Sequence, residues 1–119
     1  MKRTVVFGAS PNPARYSYIA TKRLRDSGHE VFPVGIRSGE IEGMDIIVGH
    51  PEIEEVDTVT MYVGMQNQSE HYHYLLGLKP RRIIFNPGTT NPEFKEMAEE
   101  AGIETEEACT LVLLSLGAY

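Results

Sequence analysis

The sequence has little cysteine, no tryptophan, no excess of basic residues and no long apolar run. Its one cysteine, Cys109, excludes internal disulfide bonds and is typical of a reducing cytoplasm, where we expect the protein. The 11 basic and 17 acidic residues argue against general nucleic-acid binding, which needs a basic surface. No run approaches the ~18 apolar residues of a membrane span, and the stretch after Lys2-Arg3 is too short for a signal peptide, so no membrane partner is expected.

Signatures of common enzymes and metal sites are also absent. The chain has no Gly-x-Ser-x-Gly elbow, Walker loop or zinc-ligand spacing. His71 and His73 are two positions apart, so they do not share a face of the predicted helix that contains them. His29 and His50 have no partner at ligand spacing. We therefore predict no metal site, and the lack of a convincing acid, base or nucleophile favours binding over catalysis.

Short apolar strands alternate with helical segments along the chain. Strands are predicted at residues 4–7, 31–34, 58–63, 83–85 and 103–105, with a minor strand at 45–48. Helices are predicted at residues 17–27, 67–78 and 91–101, and a last helix in the apolar tail 109–116. The alternation predicts a Rossmann-like α/β fold, three-layered and doubly wound, with a mainly parallel sheet of about five strands in a single domain over residues 1–119.

Two predicted helices carry start signals. Asn67-Gln68-Ser69-Glu70 has the spacing of a capping box, in which Asn67 caps the helix and Glu70 reaches back. Asn91-Pro92 predicts a cap followed by proline at the first helical position.

The turn after the first strand is the main functional signal. Gly8-Ala9-Ser10 links a strand to a helix, which predicts backbone amides that face the phosphate of a nucleotide-like ligand. The fingerprint G-x-G-x-x-G is missing, and Gly35-Ile36-Arg37 stands where NAD-binding folds place an acidic residue. NAD is therefore disfavoured. Arg37 would suit a ribose phosphate of NADP or coenzyme A, or it is a solvated loop arginine.

Longer stretches resemble one family. They are Gly8-Ala9-Ser10-Pro11-Asn12-Pro13, Ser17-Tyr18, and the segments 28–34, 39–43, 56–63 and 99–103. Over nearly its whole length the chain resembles the small bacterial CoA-binding domain proteins, stand-alone relatives of the CoA-binding domain of succinyl-CoA synthetase. The resemblance implies a Rossmann-like fold and binding of CoA or an acyl-CoA, with no established reaction. Gly35-Ile36 and Asn86-Pro87-Gly88 depart from the Asn-Pro and Gln-Leu-Gly that members often carry.

The resemblance also implies where each part of CoA would lie. The pyrophosphate would meet the amides of Ala9 to Asn12 and of the start of the first helix, together with the Ser10 hydroxyl, and Arg15 or Arg37 would meet the 3′-phosphate. Gly35 would lie near the adenosine, residues 62–66 would line the pantetheine arm, and residues 86–88 would lie nearer the thiol. The implied ligand-binding residues are Gly8, Ala9, Ser10, Asn12, Arg15, Gly35, Arg37, Tyr62, Val63, Gln66, Asn86 and Gly88.

From these features we expect a non-catalytic binding, sensing or carrier module. A small NADP-dependent oxidoreductase that places Arg37 on the 2′-phosphate is one alternative. Another is an interaction domain of a CoA-ligase complex, or a homodimer, in which the tail 111–116 packs on a partner. Cys109 is predicted to be a small buried apolar residue, and the alternative is a nucleophile or a mixed disulfide with CoA.

Overall fold

A parallel sheet forms the centre of the protein in a computed structural model that describes residues 1–119. The order across this six-stranded sheet is β5-β2-β1-β6-β7-β8, and all neighbours run parallel. β3 and β4 form a separate antiparallel pair. In chain order the strands are β1 (Arg3–Phe7), β2 (Glu30–Gly35), β3 (Glu40–Ile41), β4 (Met44–Asp45), β5 (Ile47–Val48), β6 (Thr58–Met61), β7 (Arg82–Phe85) and β8 (Glu104–Glu107).

Helices cover both faces of the sheet. They are α1 (Tyr16–Asp26), α2 (Tyr72–Gly77), α3 (Pro92–Glu100) and α4 (Thr110–Ser115). Leu75 of α2 and Phe94 of α3 join the larger core cluster, which includes Phe85 of the sheet. Leu24 of α1 and Leu114 of α4 pack with the second cluster on the other face. The three-layer, mainly parallel fold is therefore confirmed. No helix has the length and apolar character needed to cross a membrane.

The main sheet has six strands where the sequence predicts about five, because one half of the predicted minor strand at 45–48 joins it. Met44 and Asp45 pair with β3, whereas Ile47 and Val48 pair with β2 at the edge of the main sheet. Two residues of pairing are too few to leave a periodic signal in the sequence.

The sheet order reverses beside β1, which lies between β2 and β6. In doubly wound sheets, ligands bind beyond the carboxyl ends of the strands at this point. The turn at Gly8 and the segment from Tyr62 follow β1 and β6, so they meet there.

The predicted capping box is wrong. Residues Met65–Asn67 and Ser69–His71 form two 3₁₀ turns, and α2 begins only at Tyr72. Gln68 is fully buried, where its Nε2 donates to the carbonyls of Val63 at 2.9 Å and Thr89 at 2.8 Å. Because these tertiary contacts hold the Gln68 amide, the segment does not continue as one regular helix.

The second start signal is confirmed. Asn91 accepts a hydrogen bond from the Phe94 amide at 3.1 Å, and Pro92 opens α3. The same side chain also contacts buried Gln68, since Asn91 Nδ2 donates to Gln68 Oε1 at 3.0 Å.

Candidate functional site

The turn at Gly8 requires glycine. Its φ of +101° lies in the region that side chains rarely adopt, and an added Cβ would lie 2.9 Å from the Tyr62 carbonyl carbon. The same Cβ would lie 3.1 Å from the Val63 amide nitrogen. The end of β1 thus passes directly against the segment after β6, where no side chain fits between them.

Several amides of this turn are already hydrogen-bonded inside the protein. The N–H groups of Gly8 and Ala9 both donate to the Val34 carbonyl at 2.9 Å. The Asn12 N–H donates to the Ser10 hydroxyl at 3.1 Å. Two amides that were expected to face a phosphate, those of Ala9 and Asn12, are therefore engaged within the protein.

Other donors at the same place remain open. The N–H groups of Ser10, Tyr16 and Ser17 make no hydrogen bond within the protein. Ser10 lies in the turn, while Tyr16 and Ser17 open α1, which has no side-chain cap. Free amides at the start of a helix after a parallel strand are donors suited to an anion.

Arg15 lies directly before α1, and Arg37 lies in the loop after β2. Neither side chain makes a hydrogen bond or an ion pair, in contrast to nearly all other basic residues. Lys79 is also unpaired, but it precedes β7 and so lies at the amino ends of the strands, on the opposite side of the sheet from the Gly8 turn. Both guanidinium groups are exposed and free to pair with a ligand.

The loop that carries Arg37 packs against the first turn. A Cβ at Gly35 would lie 2.4 Å from the Ala9 carbonyl oxygen, and one at Gly39 would lie 2.8 Å from Pro11 Cβ. This close approach brings the loops after β1 and β2 together, as expected for two sides of one site.

A cavity of about 220 Å³ opens beside the turn, between the ends of β1, β2 and β5. Backbone of Gly8, Gly35 and Gly49 forms part of its wall, and the polar side chains in it are His50 and His71. The apolar lining consists of Phe7, Val34, Ile36, Val48 and Val63. A mostly apolar cleft with a few polar groups is typical of a small-molecule site.

Nothing in the spacing of the histidines indicates the His50–His71 contact. His50 Nε2 and His71 Nδ1 are 2.8 Å apart, although the residues are separated by 21 positions. The spacing of His71 to His73, which the sequence does show, has no role in this contact. No group of three or more histidine, cysteine, aspartate or glutamate residues is arranged to hold a metal ion.

Tyr62 and Asn86 face away from this cavity. Burial raises the pKa of Tyr62 to about 12, and its side chain lies near Thr110 and Cys109 on the α4 side. Asn86 is 2% exposed, and its Nδ2 donates to the Thr60 hydroxyl at 2.7 Å and the Met61 carbonyl at 2.8 Å.

The side-chain oxygen Oδ1 of Asn86 is also engaged, because it accepts from the Thr110 amide at 2.9 Å. Its amide group therefore holds the start of α4. Gln66 and Gly88 are exposed in the segments after β6 and β7, and Cys109 is half-buried directly before α4. Of the residues implied by the resemblance, Gly8, Gly35 and Val63 line the cavity.

A wider depression of about 540 Å³ lies elsewhere, at the amino ends of β7 and β8. Arg81, its basic residue, is paired with Asp57 at 2.9 Å and with Glu104 at 2.9 Å. The charge of Arg81 is thus compensated, and this depression lies away from the carboxyl ends of the strands. The cavity beside Gly8 is therefore the candidate site.

Comparisons with known proteins identify the family of this chain. The family model described as "CoA binding domain" matches residues 2–115. "Uncharacterized protein YneT" of Bacillus subtilis (strain 168) is 26% identical over 102 residues, which cover 85% of this chain and 76% of that protein. A crystal structure of an uncharacterized protein is 52% identical with a TM-score of 0.98, over 100% of this chain and 98% of that one.

A hypothetical protein from Pyrococcus horikoshii OT3 has a TM-score of 0.85 at 26% identity, over 93% of this chain and 80% of that chain. The fold is thus shared over 93% or more of this chain. Together with the family model, which spans residues 2–115, it confirms the resemblance seen in the sequence. The chain belongs to the CoA binding domain family.

Proposed function

We propose that the protein binds CoA or an acyl-CoA with the pyrophosphate at the Gly8-Ala9-Ser10 turn. One observation carries this proposal: the free backbone amides of Ser10, Tyr16 and Ser17 occur together with exposed, unpaired arginines directly before α1 and in the loop that packs on the turn. In a chain with a net charge of −6, these arginines are positive groups that no carboxylate of the protein compensates. Membership of the CoA binding domain family supports CoA as the anion in question.

The donors match the two phosphate groups of CoA. The free amides of Ser10, Tyr16 and Ser17 would bind the pyrophosphate, in place of the engaged amides of Ala9 and Asn12. Arg15 or Arg37 would pair with the 3′-phosphate, because a guanidinium group binds phosphate oxygens in a bidentate manner.

The rest of the ligand would extend to both sides of the turn. The adenine would enter the apolar cavity of about 220 Å³. The pantetheine arm would follow Val63, Gln66 and Gly88, in the segments after β6 and β7. Asn86 has no part in the proposed contact, since its amide group is engaged inside the protein.

We further propose that the ligand is held rather than converted. The family to which the chain belongs is described as a binding domain, which supports this role. Incubation with acetyl-CoA and succinyl-CoA, followed by a chromogenic thiol assay, should show no release of free CoA beyond that in buffer. Protein-dependent thiol release would overturn the non-catalytic proposal.

Calorimetric titration tests the ligand class directly. We expect CoA to bind the wild type, and Arg15→Ala and Arg37→Ala to weaken binding by roughly 10- to 100-fold, since a hydrogen bond to a charged group contributes about 1.5–3 kcal/mol. Lys79→Ala is the matched control, because Lys79 is equally unpaired but lies at the other edge of the sheet. It should leave the affinity unchanged.

Two further ligands separate the alternatives. Dephospho-CoA lacks the 3′-phosphate, so the arginine that contacts this group should lose its effect on affinity. Binding of NADPH without binding of CoA would contradict the proposal and favour an NADP-dependent oxidoreductase.

Native mass spectrometry of freshly purified protein provides a second readout, in which a bound species with the mass of CoA is expected.

A further inference from the structure

The His50–His71 pair is held rigidly in the wall of the cavity. The His50 ring stacks on Tyr74 with centroids 4.3 Å apart and an interplanar angle of 3°. The His71 ring meets Phe7 edge-on, with centroids 4.9 Å apart and an angle of 75°. Tyr74 is itself fixed, because its hydroxyl donates to the Pro51 carbonyl at 2.5 Å. The two imidazoles are therefore oriented before any ligand arrives.

The neighbours also select the tautomers. Glu70 Oε1 lies 3.5 Å from His71 Nε2, which favours a hydrogen on that nitrogen and leaves His71 Nδ1 as an acceptor. His50 Nε2–H then donates to His71 Nδ1 across the 2.8 Å contact. In this arrangement His50 Nδ1 is an acceptor that no group of the protein uses.

We propose that the His50–His71 pair recognises the heteroaromatic base of the ligand and binds it only while both rings are uncharged. The inference rests on the proposed function, since it names the residues that would contact the adenine of CoA. His50 Nδ1 accepts from the exocyclic amino group of the base, and the apolar lining packs on its faces.

Protonation would remove this complementarity. A proton on His50 Nδ1 turns the free acceptor into a donor, which opposes the amino group of adenine. A second proton, on His71 Nδ1, places two donors and two positive charges at 2.8 Å, so the rings must separate. Loss of binding as the pH falls is the expected consequence.

Few other groups act on the pair. Glu70, in the turn before α2, is the charged residue beside His71, and Tyr74 of α2 faces His50 with its hydroxyl engaged. The side from β1 supplies the uncharged ring of Phe7. Burial lowers the pKa of His71, with Glu70 acting in the opposite direction, which agrees with a neutral ring near pH 7.

Calorimetric titration with CoA from pH 8.0 to pH 5.5 tests the inference. In the wild type we expect the affinity to fall by up to about tenfold over this range, as for one proton excluded on binding. His50→Gln and His71→Gln should bind more weakly at pH 8.0 and lose this pH dependence. His73→Gln is the matched control, because His73 is exposed, makes no hydrogen bond and lies outside the cavity, and it should follow the wild type.

The outcomes are distinct. The 3′-phosphate of CoA also titrates near pH 6, but this contribution is common to all four proteins and cancels in the comparison. Failure of the wild type to bind CoA at pH 8.0 would refute the proposed function and this inference with it. Binding with the same pH dependence in the wild type and in both glutamine variants would refute this inference alone.

A second measurement does not depend on the variants folding. Histidine ring protons of the wild type can be titrated by NMR with and without saturating CoA. We expect CoA to lower the titration midpoint of His71 and to leave unchanged that of His29, which lies against Tyr119 and outside the cavity. An equal midpoint of His71 with and without CoA would contradict the proposal.

Discussion

Replacement of Gly8 by alanine tests how the two sides of the site are joined. At φ +101° the new residue would be strained, and its Cβ would lie 2.9 Å from the Tyr62 carbonyl carbon. The neighbouring atoms include backbone, so a side-chain rotation cannot relieve the contact. Gly28 provides the matched control, because its φ is +90° but an added Cβ would meet nothing within 4 Å.

Gly8→Ala should lose more free energy of unfolding than Gly28→Ala, because only the methyl group at position 8 meets other atoms of the protein. Both variants incur about 1–2 kcal/mol for a left-handed backbone, which is partly offset by about 0.4–1 kcal/mol from the restricted unfolded chain. Gly28→Ala should therefore lower the free energy of unfolding by about 1 kcal/mol. Gly8→Ala adds about 1–3 kcal/mol for overpacking, for a total of about 3 kcal/mol.

Urea unfolding at 25 °C measures both values, and thermal unfolding should show Tm lowered by roughly 12 °C and 4 °C for a domain of this size. CoA affinity should also fall in Gly8→Ala, since the β1 and β6 ends must separate to admit the methyl group. Equal destabilisation of the two variants would refute the claim that close backbone approach is what requires glycine at position 8.

Two further predictions concern stability. Asn86→Ala should lower the free energy of unfolding by about 3 kcal/mol, because it leaves the buried Thr110 amide and Met61 carbonyl unpaired. Exposed Asn67→Ala is the control and should change the free energy of urea unfolding by less than about 0.5 kcal/mol. Similar losses in the two variants would contradict the role of Asn86 in holding α4. Burial lowers the pKa of His29 and His71, so the unfolded chain binds protons first and stability should fall as the pH drops through about 6.5. Urea midpoints that stay constant from pH 8 to pH 5.5 would contradict this assignment.

Local sequence signals predicted the parts of the fold that depend on neighbouring residues. The Asn91-Pro92 start of α3 was recognised because the cap and the amide that it accepts from are only three positions apart. The predicted capping box at Asn67 does not form, because Gln68 in the same segment is buried and its side chain donates to the Val63 and Thr89 carbonyls. A tertiary contact of a buried amide outweighed the local preference at this position.

For the candidate site, the sequence predicts the turn at Gly8 but not the hydrogen bonds made by its amides. Gly8 was identified from its position between a strand and a helix, but the engagement of the Ala9 amide depends on Val34 of the neighbouring strand. That Arg15 and Arg37 remain unpaired depends on where every carboxylate lies in the fold. The amino-acid sequence alone contains neither fact.

The order of strands and helices, the glycine turn after β1 and membership of a CoA-binding family can all be recognised in the amino-acid sequence. These features follow from hydrophobic periodicity, turn chemistry and matched motifs, which act over a few residues at a time. The folded chain is needed to show which amides are free, that Asn86 holds α4, and that His50 contacts His71. Those contacts join residues far apart in the chain, and they form because parallel strands bring all their carboxyl ends to one edge of the sheet.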